Sequence, residues 1–212
     1  MNFMEETKTS SVGRPRAPDV EQRVHDAVIE LYSEVGWAAL TFDAVARRAG
    51  VGKAAIYLRW PTKERLLLDV LAARTLPVIV MDTGSVREEL LNFARQLVEF
   101  YLGLNGLVTL RISLEAVSRP ELLASVQKEK SPGILAARAI VHRGIDRGEL
   151  PPHTSVTLVT DIIAGAILNH VLATPLNLRD QMVKQLDRYV EDLVDFVLKG
   201  VQYRECPSSA DE

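Results

Sequence analysis

Lys53, Tyr57 and Arg59 lie within one short run, Lys53-Ala54-Ala55-Ile56-Tyr57-Leu58-Arg59-Trp60. The run forms about two helical turns, with Ile56 as an inward anchor and the three long polar groups toward the exposed side and end. Their chemistry suits a polyanion, with cations for phosphate oxygens and a phenol for phosphates or base edges. Gly52 opens the run, and Ala54 and Ala55 are small enough for the backbone to approach DNA or touch a thymine methyl. Lys63, at the start of the next helix, is placed to reach a further phosphate.

Positioning these groups requires a preceding helix and a tight turn. Thr41 caps that helix through its hydroxyl, and Asp43 adds favourable negative charge at the same end. Val45, Ala46 and Ala49 share one face, leaving Arg47 and Arg48 toward water. Gly50 follows where a helix ends with positive φ. Pro61 stops the second helix, and Thr62 caps the next. Two short helices joined by a glycine-containing turn predict a helix-turn-helix, whose second helix lies in the DNA major groove. The bland alternative is a helical cap with solvated basic residues, but turn, caps, small residues and cations all agree on DNA.

The segment from Val24 to Leu71 resembles the DNA-binding domain of the TetR family of bacterial transcriptional repressors. The resemblance rests on AVIELYSEVGWAALTF, DAVARRAGVGKAAIYLRW and PTKERLLLDVL. It includes the Gly36-Trp37 pair, Thr41 opening the second helix, Tyr57 in the recognition helix and Lys63 opening the fourth. The sequence departs from the family at Gly52 and Ala55, where hydroxylated residues are common, and at Trp60, where phenylalanine is usual. Base readout therefore falls more heavily on Lys53, Tyr57 and Arg59. The resemblance implies a homodimer on double-stranded operator DNA and a small, largely apolar effector bound in the larger domain.

The chain has 212 residues and a net charge of −3. From Gly13 to Arg65 the charge is +2, and from Leu66 onward it is −4. The candidate DNA-reading part is thus only mildly basic, so affinity depends on placing few charges well and using two copies. The single cysteine, Cys206, excludes an internal disulfide framework and predicts a reducing, cytoplasmic setting. The N-terminus has no apolar core of signal-peptide length. The apolar stretch from Val156 to Ala173 is interrupted by Asp161, Asn169 and His170, and reads as a buried helix rather than a membrane span.

Apolar spacing predicts an all-α fold of about nine helices, with an N-terminal three-helix helix-turn-helix domain and a larger C-terminal helical bundle. Residues 1–18 read as a flexible arm, where Arg14 and Arg16 flank Pro15 and either enter a narrow minor groove or belong to a solubilising tail. Residues 19–65 form the DNA-binding domain, 66–200 the ligand-binding and dimerisation domain, and 201–212 a polar tail. Within the larger domain, Ser85 opens a capping box with Glu88. Gly103 to Gly106 breaks the following helix. Leu110, Leu114 and Val117 then share a face, and Ser131-Pro132-Gly133 interrupts another helical region.

Candidate pocket residues are Phe100, Tyr101, Leu104, Leu107 and Leu110, with Leu114, His142, Ile162 and Asn169. Arg111 joins them; buried, it needs an acidic partner, either Glu115 one turn on or an acidic ligand. Close helix approach at Ala164 and Gly165, with Leu168, predicts a dimer contact shared with the last helix. That helix contributes Leu186, Tyr189, Val190, Leu193 and Val197. His142 and His170 lack the spacing of a metal site, and no GxxxxGKS or GxSxG motif appears, so neither metal, cofactor nor enzymatic activity is expected.

The sequence reads as a cytoplasmic, dimeric, TetR-like repressor released when effector shifts the fourth helix. The alternatives are a TetR-like activator, an effector-independent DNA-binding protein, or a helical ligand-binding or catalytic protein whose helix-turn-helix is scaffold.

Overall fold

The computed structural model describes residues 20–74, 79 and 81–202. Nine α-helices and no strand occur among them: α1 Val20–Ala39, α2 Phe42–Ala49, α3 Lys53–Arg59, α4 Lys63–Arg74, α5 Val86–Leu102, α6 Leu104–Ala116, α7 Pro120–Asp146, α8 Val156–Ala173 and α9 Arg179–Gln202. A 3₁₀ turn, Leu176–Leu178, precedes α9. The arm carrying Arg14 and Arg16, and Cys206, lie outside the described residues.

Local chemistry sets most boundaries. The Thr41 hydroxyl accepts from the Ala44 amide at 3.2 Å, and Gly50 closes α2 in the left-handed region at φ 63°, ψ 39°. The Thr62 hydroxyl accepts from the Arg65 amide at 3.1 Å. Ser85 caps α5 through the Glu88 amide, and Ser155 caps α8 through the Leu158 amide. Gly36 interrupts α1 with φ 65° and ψ −167°, so the chain turns at the Gly36-Trp37 pair.

Two cores result. The first joins Val24, Val28 and Tyr32 of α1 to Val45, Ile56, Trp60, Leu66 and Val70 of the next three helices. Val108, Ile112 and Ala116 of α6, with Leu122 and Val126 of α7, belong to that same core. The second unites α5, the C-terminal half of α7, α8 and α9 around Leu90, Ala94, Ile140, Ile163, Val190 and Val194. Thus α7 reaches from one core to the other, while α6 belongs to the first.

Several expectations are corrected. Helix α7 runs unbroken through Pro132. Proline removes one backbone hydrogen bond, at about 3 kcal/mol, while Val126 on one side and Ala137, Ile140 and Val141 on the other anchor both halves. Helix α6 begins at Leu104, with Gly103 as its N-cap, and is bent 83° from α5. A side chain at Gly106 would overlap the Phe100 carbonyl, so glycine allows the two helices to meet there.

The buried face of α6 is Val108, Thr109, Ile112 and Ala116, whereas Leu114 and Val117 are exposed. The helix is apolar around most of its circumference, so periodicity alone did not select its face. Helix α8 buries only one side, Val159, Ile163, Ile167 and Val171; Leu158, Ile162 and Leu172 remain exposed. Its length and composition would also suffice to cross a membrane. Helix α9 continues through Val201 to Gln202, two residues into the expected tail.

Candidate nucleic-acid interface and internal cavity

Helix α3 is held from beneath by one apolar anchor and one polar network. Ile56 is fully buried, and the Trp60 indole donates to Asp69 Oδ2 at 2.8 Å. The same carboxylate oxygen lies 3.1 Å from His25 Nε2, which joins α1, the end of α3 and α4. Glu21, His25 and Asp69 bring their ligand-type atoms within 4.8 Å of one another. The His25–Asp69–Trp60 bonds already give two of these three groups a hydrogen-bonding role.

The outer face of α3 carries Lys53, Ala54, Tyr57, Leu58 and Arg59, all exposed, with Gly52 exposed before them and Ala55 half-buried. Tyr57 stands edge-on to Phe42 with ring centroids 4.7 Å apart, which braces the phenol against α2. Lys53 Nζ lies 2.6 Å from Asp43 Oδ1. An exposed pair of this kind contributes about 0–1 kcal/mol, so a phosphate can displace the aspartate at little cost. Arg59 donates to the Ala55 carbonyl at 3.3 Å.

Leu58, passed over as a functional residue in the sequence, is 85% exposed at the centre of this surface. A large apolar side chain held in water on a groove-reading helix is suited to a thymine methyl. Its exposure could have been inferred from the inward facing of Ile56 and Trp60 on either side.

Lys63 is more committed than its sequence position implied. Its Nζ donates to the Trp37 carbonyl at 2.8 Å and lies 4.1 Å from the Trp37 ring centroid. Burial and nearby Arg119 lower its pKa, with Glu64 opposing them. Thr41 is exposed, but its hydroxyl is occupied in the cap.

Trp37 is a junction. Besides its bond from Lys63, its amide donates to Glu115 Oε2 at 3.1 Å, and the Arg119 guanidinium lies 5.0 Å from its ring centroid. The Tyr32 hydroxyl donates to Glu115 Oε2 at 2.6 Å. Arg111 donates to Glu115 Oε1 at 3.0 Å and to the carbonyls of Tyr32 and Ser33 at 3.0 and 2.9 Å. A side chain on Gly36 would overlap the Arg111 guanidinium. Residues 32–37 and α4 are therefore clamped to α6 beside the helix-turn-helix.

Of the two partners expected for Arg111, the structure gives it Glu115. The larger domain carries a half-open cavity of about 230 Å³ lined by α5, α6, α7 and α8. Of the expected pocket residues, Phe100, Tyr101 and Leu110 line it, while Leu104, Leu107, Arg111, Leu114, His142, Ile162 and Asn169 do not. Leu104, Leu114, His142 and Asn169 are exposed elsewhere. Phe93, Thr109, Lys130, Ile134 and Thr160 line it instead. The unbroken course of α7 brings Lys130 and Ile134 to this wall, which a helix interrupted at Pro132 would not have done.

The expected dimer residues divide. Leu186, Val190 and Val197 are buried within the chain's own core, and Ala164 lines the cavity. Gly165 is exposed, while Leu168 and Leu193 are half-buried. Tyr189 stacks on His170 with centroids 3.9 Å apart. The apolar side chains left open on α8 and α9 are Leu158, Ile162, Leu172, Val183 and Phe196.

The family model described as bacterial regulatory proteins, tetR family, matches residues 25–70. The tetracyclin repressor-like C-terminal domain model matches residues 80–197. The chain is 32% identical over 196 residues to the uncharacterised HTH-type transcriptional regulator YdeS of Bacillus subtilis, covering 91% of this chain and 95% of the relative. It is 35% identical over 162 residues to the HTH-type transcriptional regulator AqdR of Rhodococcus erythropolis, covering 76% and 77% of the two chains. The structure is similar to FadR of Bacillus subtilis, solved with stearoyl-CoA, at a TM-score of 0.64 and 20% identity, covering 87% of this chain and 99% of that one. At that identity the likeness concerns the fold.

Proposed function

This chain belongs to the TetR family of helix-turn-helix transcriptional regulators, and we propose that it is a homodimeric, effector-released repressor. Two copies of α3 enter successive major grooves of a pseudo-palindromic operator, about 34–36 Å apart. Lys53, Tyr57, Leu58 and Arg59 face the groove, with Gly52, Ala54 and Ala55 allowing close approach. Thr41 and Lys63 lie toward the phosphates, and Arg14 and Arg16 supply a minor-groove arm. The working compartment is the cytoplasm, and the chain is a regulator rather than an enzyme.

The dimer forms through the open apolar faces of α8 and α9. Phe196 is 74% exposed in the single chain; a second copy covers such surface by two-fold pairing. Residues 66–200 thus serve both ligand binding and dimerisation.

The observation that carries the reading is the clamp at Trp37. Thr109 and Leu110 line the cavity, and on the same helix Arg111 and Glu115 grip residues 32–37 and, through Trp37, Lys63 of α4. A small, largely apolar effector acts by displacing α6, which carries residues 32–37 and α4 with it. FadR of Bacillus subtilis, a protein of similar fold, was solved with stearoyl-CoA, a ligand with a long apolar acyl chain. Operator and effector must then weaken each other's binding by the same factor.

Selection of bound duplex from a random pool tests this function, comparing the native chain with Tyr57→Ala. A palindrome enriched by the native chain and weakened in the variant is expected. No enrichment at low salt would overturn the repressor reading; an operator complex that no cavity ligand disturbs would overturn the release step.

A further inference from the structure

Lys130 is the one cation among the described residues lining the cavity. Its neighbours there are mostly apolar, including Phe93, Leu97, Phe100, Ile134 and Ala137. Its hydrogen bond within the protein is a long one, 3.4 Å to Ser113 Oγ. The Ser113 proton is already donated to the Thr109 carbonyl at 2.8 Å, so the serine offers the ammonium only a lone pair. An ammonium carries three donors, and no carboxylate among the described residues lies within 4.0 Å of Nζ. Burial lowers the Lys130 pKa, and no neighbouring charge offsets that effect.

Several part-buried cations are paired with carboxylates, whereas Arg23, Lys63 and Arg138, which do not line the cavity, have none within 4.0 Å among the described residues. Arg111 meets Glu115, while Arg143 and Arg147 share Glu89. A cation left without an anion in an apolar site is costly, and its retention at a cavity wall calls for an acceptor from outside. Asp161, the one carboxylate among the lining residues, is exposed to solvent.

We propose that the cavity takes an apolar monocarboxylic acid, with its carboxylate on Lys130 and its hydrocarbon body against Phe93, Phe100 and Ile134. This inference rests on the effector reading above and gives that effector a chemical class. The carboxylate supplies the acceptors that the ammonium lacks, through charge-assisted hydrogen bonds. An apolar cavity of about 150 Å³ admits benzene. The present 230 Å³ admits a bicyclic ring or a short acyl chain.

The test is calorimetric titration of the full-length chain with two matched pairs: octanoate and methyl octanoate, and 2-naphthoate and methyl 2-naphthoate. In at least one pair the acid should bind about tenfold or more tightly than its ester. Lys130→Met should bring that ratio near one while leaving ester binding in place, which shows that the variant is folded. Lys130→Arg should restore part of the preference.

Equal binding of acid and ester to the native chain, or a ratio that survives in Lys130→Met, overturns the assignment of Lys130 and leaves the cavity as an effector site. Binding of the esters alone does the same. If none of the four compounds binds, the effector reading of the cavity falls together with the proposal.

Discussion

The Tyr32 hydroxyl donates to Glu115 Oε2 at 2.6 Å, across 83 residues of sequence and between α1 and α6. The same oxygen accepts the Trp37 amide, so one carboxylate fixes the corner from which the helix-turn-helix departs. A charged hydrogen bond of this kind contributes about 1.5–3 kcal/mol. Tyr32→Phe and Glu115→Gln should each lower unfolding free energy by about 1–3 kcal/mol, read in urea. Their double mutant should lose less than the sum, because both remove the same bond.

The pH dependence has two arms. Burial raises the Glu115 pKa, but Tyr32, Arg111 and the Trp37 amide outweigh it, leaving the group below the usual carboxylate range. Its stabilisation is therefore present above the unfolded value of about 4.3 and is lost as pH falls through the folded pKa. Burial, then the bond to Glu115 and its charge, push the Tyr32 phenol above its ordinary value, with Arg111 and Arg119 opposing. That contribution is present below about pH 10 and is lost as pH rises further. Glu115→Gln should flatten the acid arm of a stability-against-pH curve, and Tyr32→Phe the alkaline arm.

On the DNA surface, function and fold separate by burial. Tyr57 is 47% exposed, so Tyr57→Ala should change thermal stability little while weakening operator binding by about 1–3 kcal/mol. Leu58→Ala should relax preference at a thymine position without altering the salt slope. Ile56→Ala, in contrast, empties a fully buried site and should cost about 2–5 kcal/mol of stability. Filter binding and thermal melts on the three variants distinguish these outcomes.

Lys53 is paired with Asp43 in the free protein. Asp43→Asn should release the lysine and tighten binding to any duplex, an effect that shrinks with added salt. Lys53→Ala should weaken binding across sequences and reduce the salt slope by about 1. An unchanged slope in Lys53→Ala would show that this lysine meets no phosphate.

Glu89 of α5 has a fully buried side chain that accepts from Arg143 and from Arg147 of the segment ending α7. Glu89→Ala leaves Arg143 with Asp82 alone, 4.0 Å away, while Arg147 keeps Asp82 and Glu149, and should cost about 3 kcal/mol. The equilibrium unfolding midpoint measures the loss directly.

Phe196→Glu places a charge on the open face of α9, where the ring is largely exposed in the single chain. Sedimentation should show the native chain as a dimer and the variant as a monomer with its helical content retained. A native monomer at micromolar concentration would remove the dimer from the proposed mechanism.

The sequence by itself determined what is local. Thr41, Gly50, Pro61, Thr62 and Ser85 act through the backbone within a few residues of themselves, so the helices they start or stop were legible without a fold. The apolar stripe of α1 was legible because one side of that helix is plainly polar. Tertiary structure alone decided the rest. Periodicity did not orient α6, which is apolar almost all round; its 83° bend from α5 and its packing against α1 did. Pro132 read as a break because a lost hydrogen bond is a local cost, whereas the packing that outweighs it comes from distant helices. The roles of Arg111 and Lys130 were undetermined for the same reason. A cation's function depends on which anion stands beside it, and folding gave Arg111 a carboxylate and left Lys130 facing a cavity.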